Sequence, residues 1–150
     1  MKVTIEDIKK LREETGGGII ECRTALEECD GDFKKAKEWL LRKGIERAVK
    51  KEGRETVQGI VDCYIHATGK VGAMVALTCE TDFVARTDDF KKLAHEIAMQ
   101  IASMDPKDVN ELLKQEYIRD PKKKIGDLIK EVIGKLGENI VIKSFKRLQI

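Results

Sequence analysis

Residues 57–79 read VQGIVDCYIHATGKVGAMVALTC, and their period decides the fold class. Val57, Val61, Cys63 and Ile65 alternate with Gln58, Asp62 and Tyr64. After Ala67-Thr68-Gly69-Lys70 the alternation resumes at Val71, Ala73, Val75, Leu77 and Cys79. Successive side chains of a strand point to opposite faces, so period-two patterning on both sides of a glycine-bearing turn predicts an antiparallel hairpin.

Downstream of the hairpin the period becomes helical. Phe90, Leu93, Ala94, Ile97, Ala98, Ile101 and Ala102 form one stripe, which predicts a helix over 88–104 broken by Asp105-Pro106. A second helix is expected over 108–117. A third is expected over 123–136, stacking Ile125, Leu128, Ile129, Val132, Ile133 and Leu136, with Gly137 placed for a left-handed cap. Residues 139–150 read as a last strand anchored by Ile140-Val141-Ile142 and Phe145. A three-stranded antiparallel sheet covered by helices accounts for residues 56–150, an α+β domain.

Upstream, residues 1–44 read as three short helices. Thr4 is placed to cap the first, which carries Ile5, Ile8 and Leu11 and stops at Gly16-Gly17-Gly18. The second, over 19–29, puts Ile19, Cys22, Leu26 and Cys29 on one face. After Asp30-Gly31-Asp32 the third carries Phe33, Ala36 and Leu40 and is expected to end at Gly44. Such a bundle has a thin core. Residues 45–55 are dominated by charge and read as a solvated helical linker.

Composition agrees with a folded chain. With 150 residues, 41% hydrophobic and 37% charged, it can bury a core and coat it, which excludes general disorder. Val71 to Cys79 is the longest apolar candidate, far below the roughly 18 residues of a membrane span. The N-terminus, Met-Lys-Val-Thr-Ile-Glu-Asp, has no apolar signal region, so the expected location is cytoplasmic. The net charge is only +2. Residues 55–105 hold 4 basic and 8 acidic groups, so a partner meeting the middle third meets a mildly acidic surface.

Enzyme signatures are missing. Gly69-Lys70 is followed by Val71 rather than completing a phosphate loop, Gly16-Gly17-Gly18 follows a helix rather than a strand, and Ser103 and Ser144 are the only serines. Cys22, Cys29, Cys63 and Cys79 form no CxxC pair and read as reduced thiols. Cys63 and His66 are the only close Cys/His pair, so neither a metal nor a cofactor is expected. His95 lies off the apolar stripe of its helix and reads as solvated. His66 ends a strand at a turn and is either a plain surface residue or an interface contact.

One segment departs from the logic of a core. In Cys79-Glu80-Thr81-Asp82-Phe83-Val84-Ala85-Arg86, the apolar pair Phe83-Val84 sits among acids at a strand-to-helix junction. Either Phe83 tucks under the loop, or it is an exposed aromatic wedge beside the Asp82 carboxylate.

Two motifs carry a family resemblance. The first is Leu11-Arg12-Glu13-Glu14-Thr15-Gly16-Gly17-Gly18-Ile19-Ile20-Glu21-Cys22-Arg23-Thr24-Ala25-Leu26, with Gly31-Asp32 and residues 36–44 beyond it. The second is Glu80-Thr81-Asp82-Phe83-Val84-Ala85, and Gly137-Glu138-Asn139-Ile140 adds a third segment. The sequence resembles the translation elongation factor Ts family, the guanine-nucleotide exchange factors of elongation factor Tu. The resemblance implies a ubiquitin-associated-like N-terminal bundle followed by the α+β core. It also implies a protein that acts by binding elongation factor Tu and promoting release of GDP and magnesium, not by catalysis on a small-molecule substrate. Carried over by position, Phe83 inserts between partner helices, Asp82 disturbs the partner's magnesium site, and Thr81 and Val84 shape the loop. Leu11, Arg12, Ile19 and Ile20 match positions that touch the partner's nucleotide domain, and His66 is a further candidate contact. Long family members have two related half-domains and a coiled-coil insertion, whereas this chain has one core unit. Short members resemble a single half and sometimes act as a pair. Open sheet edges and the apolar tip Leu148-Gln149-Ile150 suggest a homodimer.

Three other readings compete. An RNA-binding module could use Lys122-Lys123-Lys124 and Lys50-Lys51, but no aromatic stacking pattern accompanies them, so nucleic acid is not the expected partner. A ubiquitin-like-fold adaptor would leave residues 56–150 unexplained. A small-molecule enzyme would need a cluster of convergent titratable groups, which the sequence lacks.

Overall fold

Thr4 and Asp7 begin the first helix by capping one another. The Thr4 hydroxyl accepts from the Asp7 N–H at 3.1 Å and the Asp7 carboxylate accepts from the Thr4 N–H at 3.0 Å. The Thr4 hydroxyl, which also donates to the Asp7 carboxylate at 2.7 Å, and then the Thr4 N–H hold that carboxyl below the usual carboxylate range. The helix, α1 (Ile5–Thr15), ends at Gly16, whose φ of 70° suits a residue without a Cβ. In the computed structural model, which describes residues 2–150, α2 (Ile19–Glu28) and α3 (Phe33–Lys51) follow. Leu11, Cys22, Ala25, Leu26, Ala36 and Leu40 close a small core among these three helices. Ile19 does not join it and is exposed; the stripe expected over α2 outruns the core available to it.

The third helix does not stop at Gly44. It runs on to Lys51, so residues 45–51, part of the helical linker expected over 45–55, are its last turns, with Ala48 fully buried in the larger core. The cause is a close helix crossing. A Cβ at Gly134 would lie 2.5 Å from the Gly44 Cα, which means the two backbones meet where both lack side chains. A mid-helix glycine costs about 1 kcal/mol against alanine, and packing of this kind overrides it. Arg47 adds a bond to the Gly134 carbonyl at 3.4 Å. Gly134→Ala is expected to force the helices apart and cost about 1–3 kcal/mol, as overpacking does. A thermal melt reads this, and an unchanged midpoint would refute the crossing.

The hairpin forms as read. β1 (Gln58–Ile65) pairs antiparallel with β2 (Val71–Cys79) from Gln58↔Cys79 to Ile65↔Gly72. After α4 (Asp82–Ala85), α5 (Asp88–Met104) and α6 (Val109–Lys114) come β3 (Glu116–Tyr117), β4 (Asp120–Lys124), α7 (Ile125–Leu136) and β5 (Ile140–Gln149). β5 joins β2, giving the order β1-β2-β5 with a bulge opposite Ala76/Leu77. Ala73, Val75, Leu77 and Cys79 are buried on the inner face together with Ile140 and Ile142. Their opposite numbers on β1 are Tyr64, Asp62, Ile60 and Gln58, and directly opposed residues share a face. Val61, Cys63 and Ile65 therefore point outward and are exposed. The period was legible; the direction of the face was not.

α5 covers the sheet with the whole predicted stripe, every member buried. The helix expected over 108–117 ends early instead. The cause is Gln100, fully buried on α5. Its amide donates to the Glu116 carbonyl at 3.0 Å and its oxygen accepts from the Ile118 N–H at 3.0 Å. Those bonds draw residues 116–118 off the helix and into the small β3–β4 hairpin. Tyr117 caps the arrangement by donating to the Glu96 carboxylate at 2.6 Å. All four cysteines are free; Cys22 and Cys79 are buried and Cys63 is exposed. No helix among the described residues is long and apolar enough to cross a membrane.

Candidate functional site

Where β2 leaves the sheet, Thr81 caps a single helical turn, α4, its hydroxyl accepting from the Val84 N–H at 3.4 Å. Successive residues of a helix lie about 100° apart, so a turn seated on the core by one pair of residues must offer the other pair outward. Val84 and Ala85 are the seated pair, both buried in the main core. Phe83 is 88% exposed and Asp82 is exposed beside it. Of the two readings the sequence leaves open for Phe83, the structure has the ring outside its own subunit. The Asp82 carboxylate meets the Arg86 guanidinium at 2.7 Å, an exposed pair of little energetic weight.

The turn is strapped down from behind. The Glu138 carboxylate accepts from the Thr81 N–H at 2.9 Å and from the Thr81 hydroxyl at 2.6 Å. In return the Glu80 carboxylate accepts from the Asn139 N–H at 2.8 Å, while the Asn139 amide donates to the Arg54 carbonyl at 2.8 Å. Thr87 donates to the Val84 carbonyl at 2.7 Å and caps α5 through the Phe90 N–H. Below the turn, burial and the Glu138 carboxylate push the Cys79 thiol up to about 11, so this cysteine is inert packing.

The N-terminal candidates divide. Arg12, Ile19 and Ile20 are exposed around the glycine loop, with Ile20 79% exposed. Arg12 has no ion pair among the described residues. Leu11, a member of the apolar stripe expected on this helix as well as a candidate contact, is fully buried in the bundle core. The helical period puts Leu11 and Arg12 on different faces of α1, and the thin core takes the apolar one.

His66 is exposed, its Nδ1 3.1 Å from the Tyr64 hydroxyl. Tyr64 stands edge-on to His95, whose Nδ1 is 3.3 Å from Asp62. His66 is thus far along β1 from Phe83, which follows the opposite end of the hairpin. Gln100 escaped residue-level reading, and Glu138 entered it only within the segment Gly137-Glu138-Asn139-Ile140 with no role of its own, because an acid or amide in a sequence does not announce its partner.

Among the described residues no group of three histidine, cysteine or acidic side chains could hold a metal. A cleft of about 450 Å³ lies between the bundle and the core, lined by Gly16 to Gly18, Arg47 and Lys135 among others. Its charges are largely matched within the chain: Arg47 pairs with Glu21, Lys135 with Asp89 at 3.2 Å, and Arg119 with Glu96 at 2.7 Å. The exposed features worth recognising are instead the Asp82-Phe83 turn and the rim of the glycine loop.

Comparison with known proteins identifies a family. A family model described as Elongation factor TS matches residues 80–150. The elongation factor Ts of Coprothermobacter proteolyticus is 44% identical over 192 aligned residues, spanning 98% of this chain and 98% of that protein. That of Thermotoga neapolitana is 40% identical over 193 residues, with 100% and 98% covered, and that of Fervidobacterium nodosum 38% identical over 195, with 100% and 99% covered. These aligned lengths exceed the 150 residues present here, so the relatives carry internal residues without a counterpart in this chain.

Proposed function

Since the chain belongs to the elongation factor Ts family, a family of translation elongation factors, we propose that it binds elongation factor Tu and promotes release of GDP with its magnesium, so that GTP can enter. It does so by protein–protein contact in the cytoplasm and needs no cofactor of its own. The observation that carries this reading is the exposed Phe83 ring beside Asp82 on a strapped turn.

Thermodynamic linkage sets the terms. If the factor lowers the partner's affinity for nucleotide, nucleotide lowers the partner's affinity for the factor by the same ratio. The factor must therefore hold a partner conformation in which the phosphate and magnesium sites are spoiled. Phe83 supplies an apolar wedge for a cleft between helices, and Asp82 carries a negative charge toward a site that depends on a cation. Thr81 and Val84 fix the turn, one as cap and one as buried seat. Burying a phenylalanine contributes about 1.5–3 kcal/mol, enough for roughly ten- to hundredfold. A larger effect needs a second anchor, which Arg12, Ile19 and Ile20 provide from the bundle. Leu11 contributes by holding that bundle together. His66 is a contact for a further region of the partner.

The decisive experiment follows fluorescent GDP leaving purified elongation factor Tu with and without this protein. Unaccelerated release would overturn the proposal. The basic RNA-binding alternative is read by salt titration against RNA, where phosphate contacts give a steep dependence; flat, weak binding is expected.

We also propose that two copies associate. The outward face of the sheet exposes Val61, Ile65, Met74 and Leu148, an apolar surface of the kind that marks interaction sites. Light scattering at high micromolar concentration is expected to give a dimer, and a monomer there would exclude it.

A further inference from the structure

We propose that Glu138 is a positioning residue for exchange, holding the Asp82-Phe83 turn at the angle at which it meets the partner. The inference rests on the exchange reading above and goes beyond it, since Glu138 itself stands behind the turn and need not touch the partner.

A single four-residue helical turn is not self-sustaining, because fixing the first turn costs more backbone freedom than its hydrogen bonds return. Its geometry is imposed from outside. Val84 and Ala85 anchor the underside, but nothing the ring packs on holds Phe83, which is 88% exposed. The direction of the ring is therefore set by the backbone at residues 81–83. Glu138 is the group that grips that backbone at its start, through the Thr81 N–H at 2.9 Å and the Thr81 hydroxyl at 2.6 Å. Because the hydroxyl proton is committed to Glu138, the oxygen's lone pairs are free for the Val84 N–H at 3.4 Å. One carboxylate thus orients the cap and the chain together.

The grip is itself held. Glu138 follows Gly137, which ends α7 with a φ of 81°, and precedes Asn139, which is buried. Asn139 is tied on one side to Glu80 and on the other to the Arg54 carbonyl, both at 2.8 Å. The connection leaving β2 and the one entering β5 are cross-strapped, Glu138 taking the Thr81 N–H and Glu80 the Asn139 N–H, and the strap reaches the chain just after α3. Charge-assisted bonds of this kind are the stronger ones, and pre-setting a contact residue spares the complex the cost of ordering it.

The test compares Glu138→Ala with Glu138→Gln in the full chain. Glutamine keeps an oxygen for the Thr81 N–H, and its amide can donate to the Thr81 hydroxyl, so the grip survives without the charge. Alanine removes it. Glu138→Ala is expected to slow GDP release from elongation factor Tu about tenfold and to speed amide hydrogen exchange at residues 83–85, leaving protection in β2 and α5 as in the parent and lowering the melting temperature by no more than a few degrees. Glu138→Gln is expected to restore both. Parent-like release by Glu138→Ala, parent-like protection at residues 83–85, or a Glu138→Gln variant as slow as Glu138→Ala would each overturn the proposal. Failure of the parent chain to release GDP would instead sink the exchange reading and the functional half of this inference with it, while the hydrogen-exchange comparison still decides whether Glu138 grips the turn.

Discussion

Replacing Phe83 by alanine is expected to slow GDP release roughly ten- to a hundredfold while leaving the melting temperature where it was. The two halves come from the same fact. A side chain that is 88% exposed contributes almost nothing to folding, and surface substitutions of this sort usually stay within about 0.5 kcal/mol. In the complex the same ring is to be buried, and the free energy it then supplies, about 1.5–3 kcal/mol, is the part available for distorting the partner. Release of fluorescent GDP and a thermal melt on the same preparation check both halves. A variant that loses stability and activity together would mean that the ring serves its own fold. Phe90, seven residues on and fully buried, is the natural contrast: truncating it is expected to cost stability on the scale of about 3–5 kcal/mol.

The second large effect separates two neighbours. Leu11→Ala is expected to cost about 2–5 kcal/mol, since Leu11 is fully buried in a core of only a few side chains. Arg12→Ala is expected to leave stability unchanged and to weaken complex formation about tenfold, in line with the roughly 1.5–3 kcal/mol of a hydrogen bond to a charged group. Temperature tells them apart. The Leu11 variant recovers partner affinity on mild cooling, as the bundle refolds, whereas the Arg12 variant stays weak throughout. Circular dichroism melts beside titrations at two temperatures read this. Unchanged affinity for Arg12→Ala would remove the N-terminal anchor.

The particular elements show why some structure is readable from sequence and some is not. α5 is legible from end to end because seven apolar residues at helical spacing leave one solution, and each is buried. The alternation in β1 announces a strand but not its buried side. That depends on β2, whose register draws Ile60, Asp62 and Tyr64 inward. Gly44 looks like a stop because glycine propensity is local, whereas what carries the helix past it is Gly134, far along the chain. The β3–β4 hairpin is invisible until Gln100 is seen to hold it. At the candidate site, sequence pattern isolates the apolar pair Phe83-Val84 as out of place and leaves two accounts of Phe83; only the fold shows its ring in solvent with Val84 buried, and only the fold reveals the Glu138 strap.

The unbroken α3 has a mechanical consequence. Its 19 residues make a rod of about 28 Å, rooted in the bundle at one end and against α7 at the other. With such a spacer, engaging the partner at one tip presents the other tip at a fixed bearing rather than at the end of a loose tether, which raises its effective concentration. Torsion is then the vulnerable coordinate. One extra residue between Leu41 and Gly44 would swing the bundle by about 100° around the rod, leaving both ends folded but no longer able to grip together.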